Sequence, residues 1–251
     1  MFVLVVFLTL QQALGICVPG KPCLILCMFE RQEREFCPTN AGIQKEIVDI
    51  HNQFRRDVQP PAQDMLMMSW DDEAMTTAQA WVDKCKRRHG PPSSRLYNGT
   101  KYELGENLFF SSSAKSWRSV ITAWHNEVEH FTYPNISAKG KATGHYTQVI
   151  WNSSYKVGCG MTKCPGNIHF YGCQYYRAGN FRSWRPYTEG EACGMCPGHC
   201  VDKLCTNPCP YVNKIRNCGD VSKDRCKQKF YRNMCQARCE CDTEIIPVYK
   251  K

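Results

Sequence analysis

The sequence predicts an α+β domain followed by a small module that disulfides hold together. In the first half of the 251-residue chain, apolar residues recur at helical spacing. Later runs are rich in β-branched and aromatic residues, as strands are. Helices first and strands afterwards are typical of α+β rather than alternating α/β domains. Of the 18 cysteines, ten lie beyond residue 192, where they mark the separate module.

The first three elements of the domain are predicted to be helices. Ile43, at one end of an apolar stripe that continues at helical spacing to Val58, marks the first helix. Ser69 has the character of an N-cap for a second helix, with Asp72 three residues on. The apolar face of this second helix comprises Ala74, Ala78, Trp81 and Cys85. A third helix is indicated by Trp117, Val120, Ile121, Trp124, Val128 and Phe131.

The pattern then changes to one that favours strands. Residues 145–151 and 168–175 are rich in β-branched and aromatic side chains, and residues 156–162 fit a strand between them. These three segments predict an antiparallel meander.

The first fifteen residues predict that the chain is exported. Residues 1–10 form an uncharged apolar run, and Ala13-Leu14-Gly15 has the small residues of a cleavage site, so 1–15 is interpreted as a secretory signal peptide. The run has half of the roughly 20 apolar residues that a membrane anchor needs. No later stretch is long and apolar enough to span a bilayer. We therefore expect a secreted, extracellular protein that is not membrane-spanning.

Cysteine usage fits an oxidising compartment, in which an even number of cysteines predicts structural disulfides. The last ten cysteines lie among few large apolar side chains, and a module that small needs cross-links. Their spacing alone leaves the pairing open. Four further cysteines lie in residues 16–40: Cys17, Cys23, Cys27 and Cys37.

The formal net charge of +9 favours anionic surfaces or acidic clefts as partners. Nucleic acid is not indicated, because the chain has no basic low-complexity run and no RNA-binding signature. Three N-x-S/T sequons, at Asn98, Asn135 and Asn152, predict a glycoprotein.

Two short patterns that suggest metal or redox chemistry are better explained otherwise. Cys193-Gly-Met-Cys196 fits a redox motif or half of a zinc ribbon, but among ten closely spaced cysteines structural disulfides are the simpler reading. His125 and His130 are five residues apart, about 140° around a helix, whereas zinc-protease histidines need a spacing of four. The chain also lacks a nucleophile elbow, a P-loop and a dinucleotide fingerprint.

Two longer motifs carry a family resemblance. Residues 144–154, GHYTQVIWNSS, and residues 170–181, FYGCQYYRAGNF, closely resemble the two signatures of the CAP superfamily. The C-terminal cysteine spacing resembles that of the hinge and cysteine-rich domain of vertebrate cysteine-rich secretory proteins, with Cys205-Thr-Asn-Pro-Cys209 and a final Cys239-Glu-Cys241. The resemblance covers nearly the whole chain after residue 40.

The resemblance implies a CAP α-β-α sandwich at residues 41–190, a disulfide-bridged hinge at 191–208 and a cysteine-rich, channel-regulator-like domain at 209–251. Residues 16–40 remain a cysteine-containing N-terminal extension about which the family says nothing. The implied disulfides are Cys85–Cys164, Cys159–Cys173, Cys193–Cys200, Cys196–Cys205, Cys209–Cys241, Cys218–Cys235 and Cys226–Cys239. The four extension cysteines are expected to pair among themselves.

The family cleft holds two histidines and two glutamates, which by motif fall on His89, Glu106, Glu127 and His145. Neutral imidazoles suit a zinc-like divalent cation, and the carboxylates can orient their second nitrogens. His89 and His145 alone make an open, weak site, so a polar cluster that ties helix to sheet is an equal alternative.

The resemblance implies a secreted binding protein that modulates an extracellular target. The leading targets are an ion channel and a gamete (sperm) surface in reproduction, and related proteins occur in venoms. The residues give no good reason to assign an enzyme, because neither a nucleophile nor a fully ligated catalytic metal can be identified. The alternative is a metal-dependent hydrolase or protease that uses the four cleft residues. Sterol or lipid carriage is known among CAP relatives, but no residue here discriminates it.

One disulfide typical of the family is absent. Leu104 and Tyr176 stand where the two partner cysteines of related proteins lie. The loss of both cysteines leaves no unpaired thiol, so we expect the fold to persist with a looser or apolar-packed contact at this point.

Overall fold

The computed structural model describes residues 36–97, 102–182 and 184–246. The predicted signal peptide, Cys17, Cys23, Cys27 and the sequon Asn98 lie outside these residues. Cys37 is buried and disulfide-bonded.

The first helix, α1 (Ala41–Arg56), is confirmed, and the side chain of Asn40 caps it by accepting from the backbone N–H of Gly42. Ile47 and Ile50 lie fully buried on its inner face. Arg55, buried on the same face, donates to the backbone carbonyls of Leu66, Val149, Trp151 and Asn152. Burial lowers the pKa of Arg55 to about 9, and these carbonyls satisfy its donors.

The N-cap of the second helix, α2 (Asp72–Val82), lies two residues later than predicted. Ser69 lies instead in the short strand β1 (Ser69–Trp70), and the N-cap is Asp71, whose Oδ1 accepts from the N–H of Ala74 at 2.9 Å. A carboxylate at this position interacts favourably with the helix dipole, which explains why Asp71 is the cap. Ala74, Ala78 and Trp81 are buried as expected.

The third helix is shorter than predicted. Helix α3 (Trp117–His125) is capped by Ser116 and gives way to a 3₁₀ turn at Asn126–His130. Strand β3 (Phe131–Thr132) then pairs with β4 (Ile136–Ser137), so Val128 and Phe131 lie beyond the helix. His125 is not on a metal-binding face, since its ring stacks on Phe54 with centroids 3.8 Å apart.

The prediction of a strand at 145–151 is wrong. Residues Gly144–Val149 form helix α4, in which the N–H of Thr147 donates to the carbonyl of Thr143. Tyr146 and Val149 are buried against the core that α1 and α3 also enclose. Aromatic and β-branched side chains favour strands only as far as they fit a half-buried surface, and here a helix buries them equally well.

The central sheet has the strand order β1-β5-β6-β2, with β2 at Gly105–Ser111, β5 at Lys156–Cys164 and β6 at Ile168–Tyr176. Strands β5 and β6 confirm the prediction, and β1 pairs with β5 in parallel while the other pairs are antiparallel. Sequence reasoning missed β2, because its opening Gly-Glu-Asn has low strand propensity.

The sheet lies between two helical layers, which confirms the α-β-α sandwich. Val157, Cys159 and Met161 of β5 face the core formed with α1, α3 and α4. Alternate positions hold Gly158 and Gly160, which face α2 on the opposite side. A Cβ at Gly158 would lie 2.0 Å from the backbone nitrogen of Met75, so glycine is needed for this close approach.

The seven disulfides with both cysteines among the described residues have the pairing that the resemblance implies. Cys193 and Cys196 bond to Cys200 and Cys205, so the two are not a redox pair. Short strands β7 (Cys200–Val201) and β8 (Leu204–Cys205) complete the hinge.

The C-terminal module contains two short helices, α5 (Lys229–Met234) and α6 (Gln236–Glu240). Its small core comprises Cys218, Val221, Cys226 and Cys235, three of them in disulfides. This composition confirms that cross-links replace an apolar core in the module.

Candidate functional site

The loop after α2 carries His89, and β2 carries Glu106. The Nδ1 atom of His89 lies 2.8 Å from Glu106 Oε1, which also accepts from the N–H of Gly90 at 3.1 Å. The other oxygen, Oε2, accepts from Nε2 of Gln174 on β6 at 3.2 Å. The Glu106 side chain is 2% exposed and the His89 side chain is 60% exposed. A buried carboxylate therefore orients an accessible imidazole.

A second pair has the same design. Glu127 lies in the 3₁₀ turn after α3, and His145 is the second residue of α4. His145 Nδ1 is 2.6 Å from Glu127 Oε1, while Oε2 accepts from the N–H groups of His145 at 2.8 Å and Tyr146 at 3.1 Å. Burial acts to raise the pKa of the Glu127 carboxyl, but these hydrogen bonds outweigh it and hold that pKa below its usual value.

Asn107 connects the two pairs. It follows Glu106 on β2, and its Nδ2 donates to the backbone carbonyl of His145 at 3.0 Å. The fold thus brings residues from the α2–β2 loop, β2, the turn after α3 and α4 to one region. In each pair the carboxylate occupies Nδ1, which leaves Nε2 of the ring available to a metal. That His89 and His145 share one ion stays a prediction.

Three cysteine side chains in the hinge lie close enough together to resemble a second metal site. Among the described residues, Cys193, Cys196 and Cys205 have three potential ligand atoms within 4.8 Å of one another. All three sulfurs belong to disulfides and therefore provide no thiolate. This cluster is structural.

A cavity of about 1000 Å³ extends from His89 and Glu106 to the C-terminal module. We call it the junction cavity, because Val212 and Asn213 of the module form part of its wall. The segment after β6 supplies much of the rest, including Arg177 and Phe181. Sequence reasoning recognised this segment as a signature motif but assigned it no role in a cavity.

Five neighbouring basic residues of the C-terminal module are all exposed: Lys223, Arg225, Lys227, Lys229 and Arg232. We call them the basic face. Phe230 lies among them and is 59% exposed. Two salt bridges neutralise part of this charge, Lys223–Asp242 and Lys227–Asp224.

Two of the predicted glycosylation sites differ in their exposure to solvent. Asn135 is exposed, whereas Asn152 is 5% exposed and its Nδ2 donates to Asp64 at 2.8 Å. A glycan would be attached to that same buried nitrogen, so this fold favours no glycan on Asn152. Glycosylation at each sequon stays a prediction.

Comparison with known proteins agrees with this architecture. The family model described as "CAP: Cysteine-rich secretory protein family" matches residues 48–176, and the model described as "Crisp" matches residues 193–246. The mouse (Mus musculus) protein named cysteine-rich secretory protein 1 is 41% identical over 223 residues, which cover 86% of this chain and 90% of the relative. This chain belongs to the cysteine-rich secretory protein family.

Solved structures show the same fold as this family member. The structure titled "Crystal structure of NaASP2 with Zn2+" is 27% identical, with a TM-score of 0.56 and coverage of 66% of this chain and 96% of that one. The structure of BmVAL-1 is 23% identical, with a TM-score of 0.57 and coverage of 76% and 98%. No helix among the described residues has the length and apolar character needed to cross a membrane.

An apolar cluster fills the place of the missing family disulfide. Leu104 is fully buried, and Tyr176, 9% exposed, belongs to the same cluster with Ala74. Tyr97 stacks on Tyr176 with ring centroids 4.3 Å apart, and the ammonium of Lys156 lies 5.7 Å from the Tyr176 ring. This packing confirms the expected apolar contact.

Proposed function

We propose that this family member is a secreted protein that inhibits a cation channel from the extracellular side, and that the basic face makes the contact. The supporting observation is that exposed cationic side chains and one exposed aromatic ring lie on a body fixed by three disulfides. Its leading apolar segment and its family support secretion.

The charge of the module is concentrated where it can act. Residues 210–251 contain ten lysines or arginines and five acidic residues, so this sixth of the chain has over half of the net charge of +9. Among the described residues, Arg225, Lys229 and Arg232 form no salt bridge with a carboxylate. Exposed pairs such as Lys227–Asp224 contribute little and break easily.

A rigid cationic surface suits an acidic channel mouth. Cation channels carry rings of Asp and Glu, and their field attracts a positive partner and raises its association rate. A cross-linked module loses little conformational freedom when it docks. Phe230 supplies the type of side chain that dominates binding hot spots.

The test is electrophysiology of a panel of cation channels with the full-length protein. Replacing Lys227, Lys229 and Arg232 by glutamate should abolish or strongly weaken inhibition and flatten its dependence on ionic strength. The matched control replaces Arg118, Lys139 and Lys141, exposed basic residues of the CAP domain, by glutamate. Equal loss in the two variants, or no loss in the first, would contradict the proposal.

We also propose that Nε2 of His89 and Nε2 of His145 bind one zinc-like cation. The hydrogen bonds to Glu106 and Glu127 support this proposal. Each carboxylate accepts from the Nδ1–H group of its histidine, so the proton stays on Nδ1 and the lone pair of Nε2 is free to bind a metal. The related structure NaASP2 was determined with Zn²⁺. Two imidazoles leave coordination positions to water, so we expect weak binding.

The hydrolase alternative receives no support. Among the described residues, neither histidine hydrogen-bonds a hydroxyl, and no cysteine is free. The described residues therefore offer His89, Glu106, Glu127 and His145 no paired nucleophile, and a hydrolase at this site would have to activate a metal-bound water instead.

A further inference from the structure

The two His–Glu pairs and the basic face do not account for most of the junction cavity. His89 and Glu106 occupy one part of its wall, but the volume of about 1000 Å³ suits a drug-sized or oligomeric ligand rather than a single cation.

The apolar part of the wall is aromatic. Phe181, which is 47% exposed, packs between Trp151 and Trp184, with ring centroids 5.9 Å and 5.1 Å away. Three tyrosines, Tyr102, Tyr176 and Tyr187, also line the cavity. Among the described lining residues the aliphatic side chains are only Pro134, Ala178 and Val212. An alkyl chain prefers aliphatic walls, whereas flat aromatic faces suit a ligand with flat C–H faces.

The charged side chains that line the cavity have a net positive charge. Arg95 pairs with Glu103 at 2.5 Å, so these two charges offset each other, and the buried carboxylate of Glu106 accepts a hydrogen bond from His89. Arg177 and Arg185 also line the cavity, and neither forms a salt bridge with a carboxylate of the described chain.

Arg177 is the more informative of these two arginines because it is buried, with 8% of the residue exposed. Its Nη2 donates to the carbonyls of Cys209 and Tyr211, which ties the CAP domain to the module. Its Nε and Nη1 are buried and have no acceptor among the residues that the structure describes. A buried guanidinium without a counterion is costly, and a carboxylate or sulfate nearby would stabilise it.

We propose that the junction cavity binds an acidic saccharide. The C–H face of a pyranose ring packs on Phe181 and the neighbouring Trp184, and the acidic group lies towards Arg185, with Arg177 adding a favourable field. The half-buried hydroxyl of Thr188 and the amide of Asn213, which is 8% exposed, lie in the same wall and can meet sugar hydroxyls. This site is separate from the basic face and does not depend on channel binding.

The experiment is isothermal titration of the full-length protein with 3′-sialyllactose, with lactose as the neutral match. We expect 3′-sialyllactose to bind at least about tenfold more tightly than lactose, since only the former has a carboxylate for an arginine. Phe181→Ala and Arg185→Gln should each weaken 3′-sialyllactose binding by about fivefold or more. Both side chains are exposed, so the fold should persist, and thermal denaturation checks this.

The matched controls are Phe110→Ala and Arg118→Gln, an exposed aromatic and an exposed arginine that do not line the cavity. They should bind as the unaltered protein does, and so should Lys229→Glu, which alters only the basic face. A sulfated heparin tetrasaccharide tests whether the acidic group is a sulfate instead of a carboxylate. If it binds more tightly than 3′-sialyllactose and if Phe181→Ala and Arg185→Gln weaken its binding, the site is supported with sulfate as the anion.

Three results would overturn the proposal. One is that neither acidic saccharide saturates the protein at millimolar concentration. Another is that lactose binds as tightly as 3′-sialyllactose, or that Phe181→Ala and Arg185→Gln leave the affinity unchanged. The third is that palmitate displaces bound 3′-sialyllactose and binds more tightly, which would make the cavity a lipid site.

Discussion

Replacing Glu127 by glutamine should switch the tautomer of His145 and so remove a metal ligand. In the native pair, Oε2 of Glu127 accepts two backbone N–H groups, from His145 and Tyr146. An amide nitrogen in that position would face two donors, and each unmet hydrogen bond costs about 1–3 kcal/mol. The amide oxygen must therefore take the Oε2 position, which directs the new NH₂ group at Nδ1 of His145.

This arrangement reverses the hydrogen bond to the ring. Nδ1 must now accept, so the proton moves to Nε2, the atom that we propose as the ligand. A protonated Nε2 cannot bind zinc, and we expect the affinity to fall tenfold to a hundredfold, or about 1.4–2.7 kcal/mol.

The matched control is Glu106→Gln. Oε1 of Glu106 accepts from both His89 and Gly90, so the amide oxygen stays there and His89 keeps its proton on Nδ1. The new NH₂ group faces the Gln174 amide, which can rotate because its other partner, the Thr77 hydroxyl, can also accept. We expect less than about a tenfold loss of zinc affinity.

Two measurements check this reasoning. Calorimetric zinc titration gives the affinities, and two-bond ¹⁵N–¹H NMR correlation of the histidine rings shows which nitrogen carries the proton even without metal. Thermal denaturation verifies that both variants fold. The reasoning is refuted if His145 keeps a protonated Nδ1 in Glu127→Gln, or if the two variants lose zinc affinity equally.

Three further predictions concern stability and glycosylation. Burial lowers the pKa of His51 to about 4, below the 6.5 of an unfolded histidine, so the unfolded chain binds more protons than the folded protein between these two pH values. When the pH falls from 6.5 to 4, the free energy of unfolding should therefore fall by about 3 kcal/mol more in the unaltered protein than in His51→Gln. Urea denaturation measures this difference, and an equal fall in the two proteins would disprove the prediction. Leu104→Ala should lower the free energy of unfolding by about 2–5 kcal/mol, since Leu104 is fully buried where relatives have a disulfide; a loss below 1 kcal/mol in denaturant titration would mean that this contact contributes little. Peptide mass spectrometry of the secreted protein should find a glycan on the exposed Asn135 and none on the buried Asn152. A glycan on Asn152 would show that the hydrogen bond from Asn152 to Asp64 is not required for folding.

Local patterns predicted much of the fold because they report on local causes. The stripe from Ile43 to Val58 reflects one buried face of a helix, and the aromatic composition of β6 reflects a strand that is buried on both faces; both elements are present. The same reasoning failed at residues 145–151, where burial on several sides gives a composition that a helix and a strand share. It also missed β2, whose polar start is explained by the site, because Glu106 and Asn107 connect the two His–Glu pairs.

The identity of the candidate site residues came from motifs, but their arrangement did not. His89 and Glu106 are 17 residues apart, and His145 and Glu127 are 18 apart, so no helical or strand period relates them. Only the packing of β2 against α4 places both pairs in one region.

The sequence alone predicted an export signal and indicated the two-part organisation and the need for cross-links, because composition and cysteine density do not depend on long-range contacts. The tertiary structure alone decided three other features. It buried Asn152 while exposing Asn135, it replaced a disulfide by the packing of Leu104 and Tyr176, and it formed the junction cavity. Each depends on side chains distant in sequence that meet only after folding, and a local pattern contains no information about such neighbours.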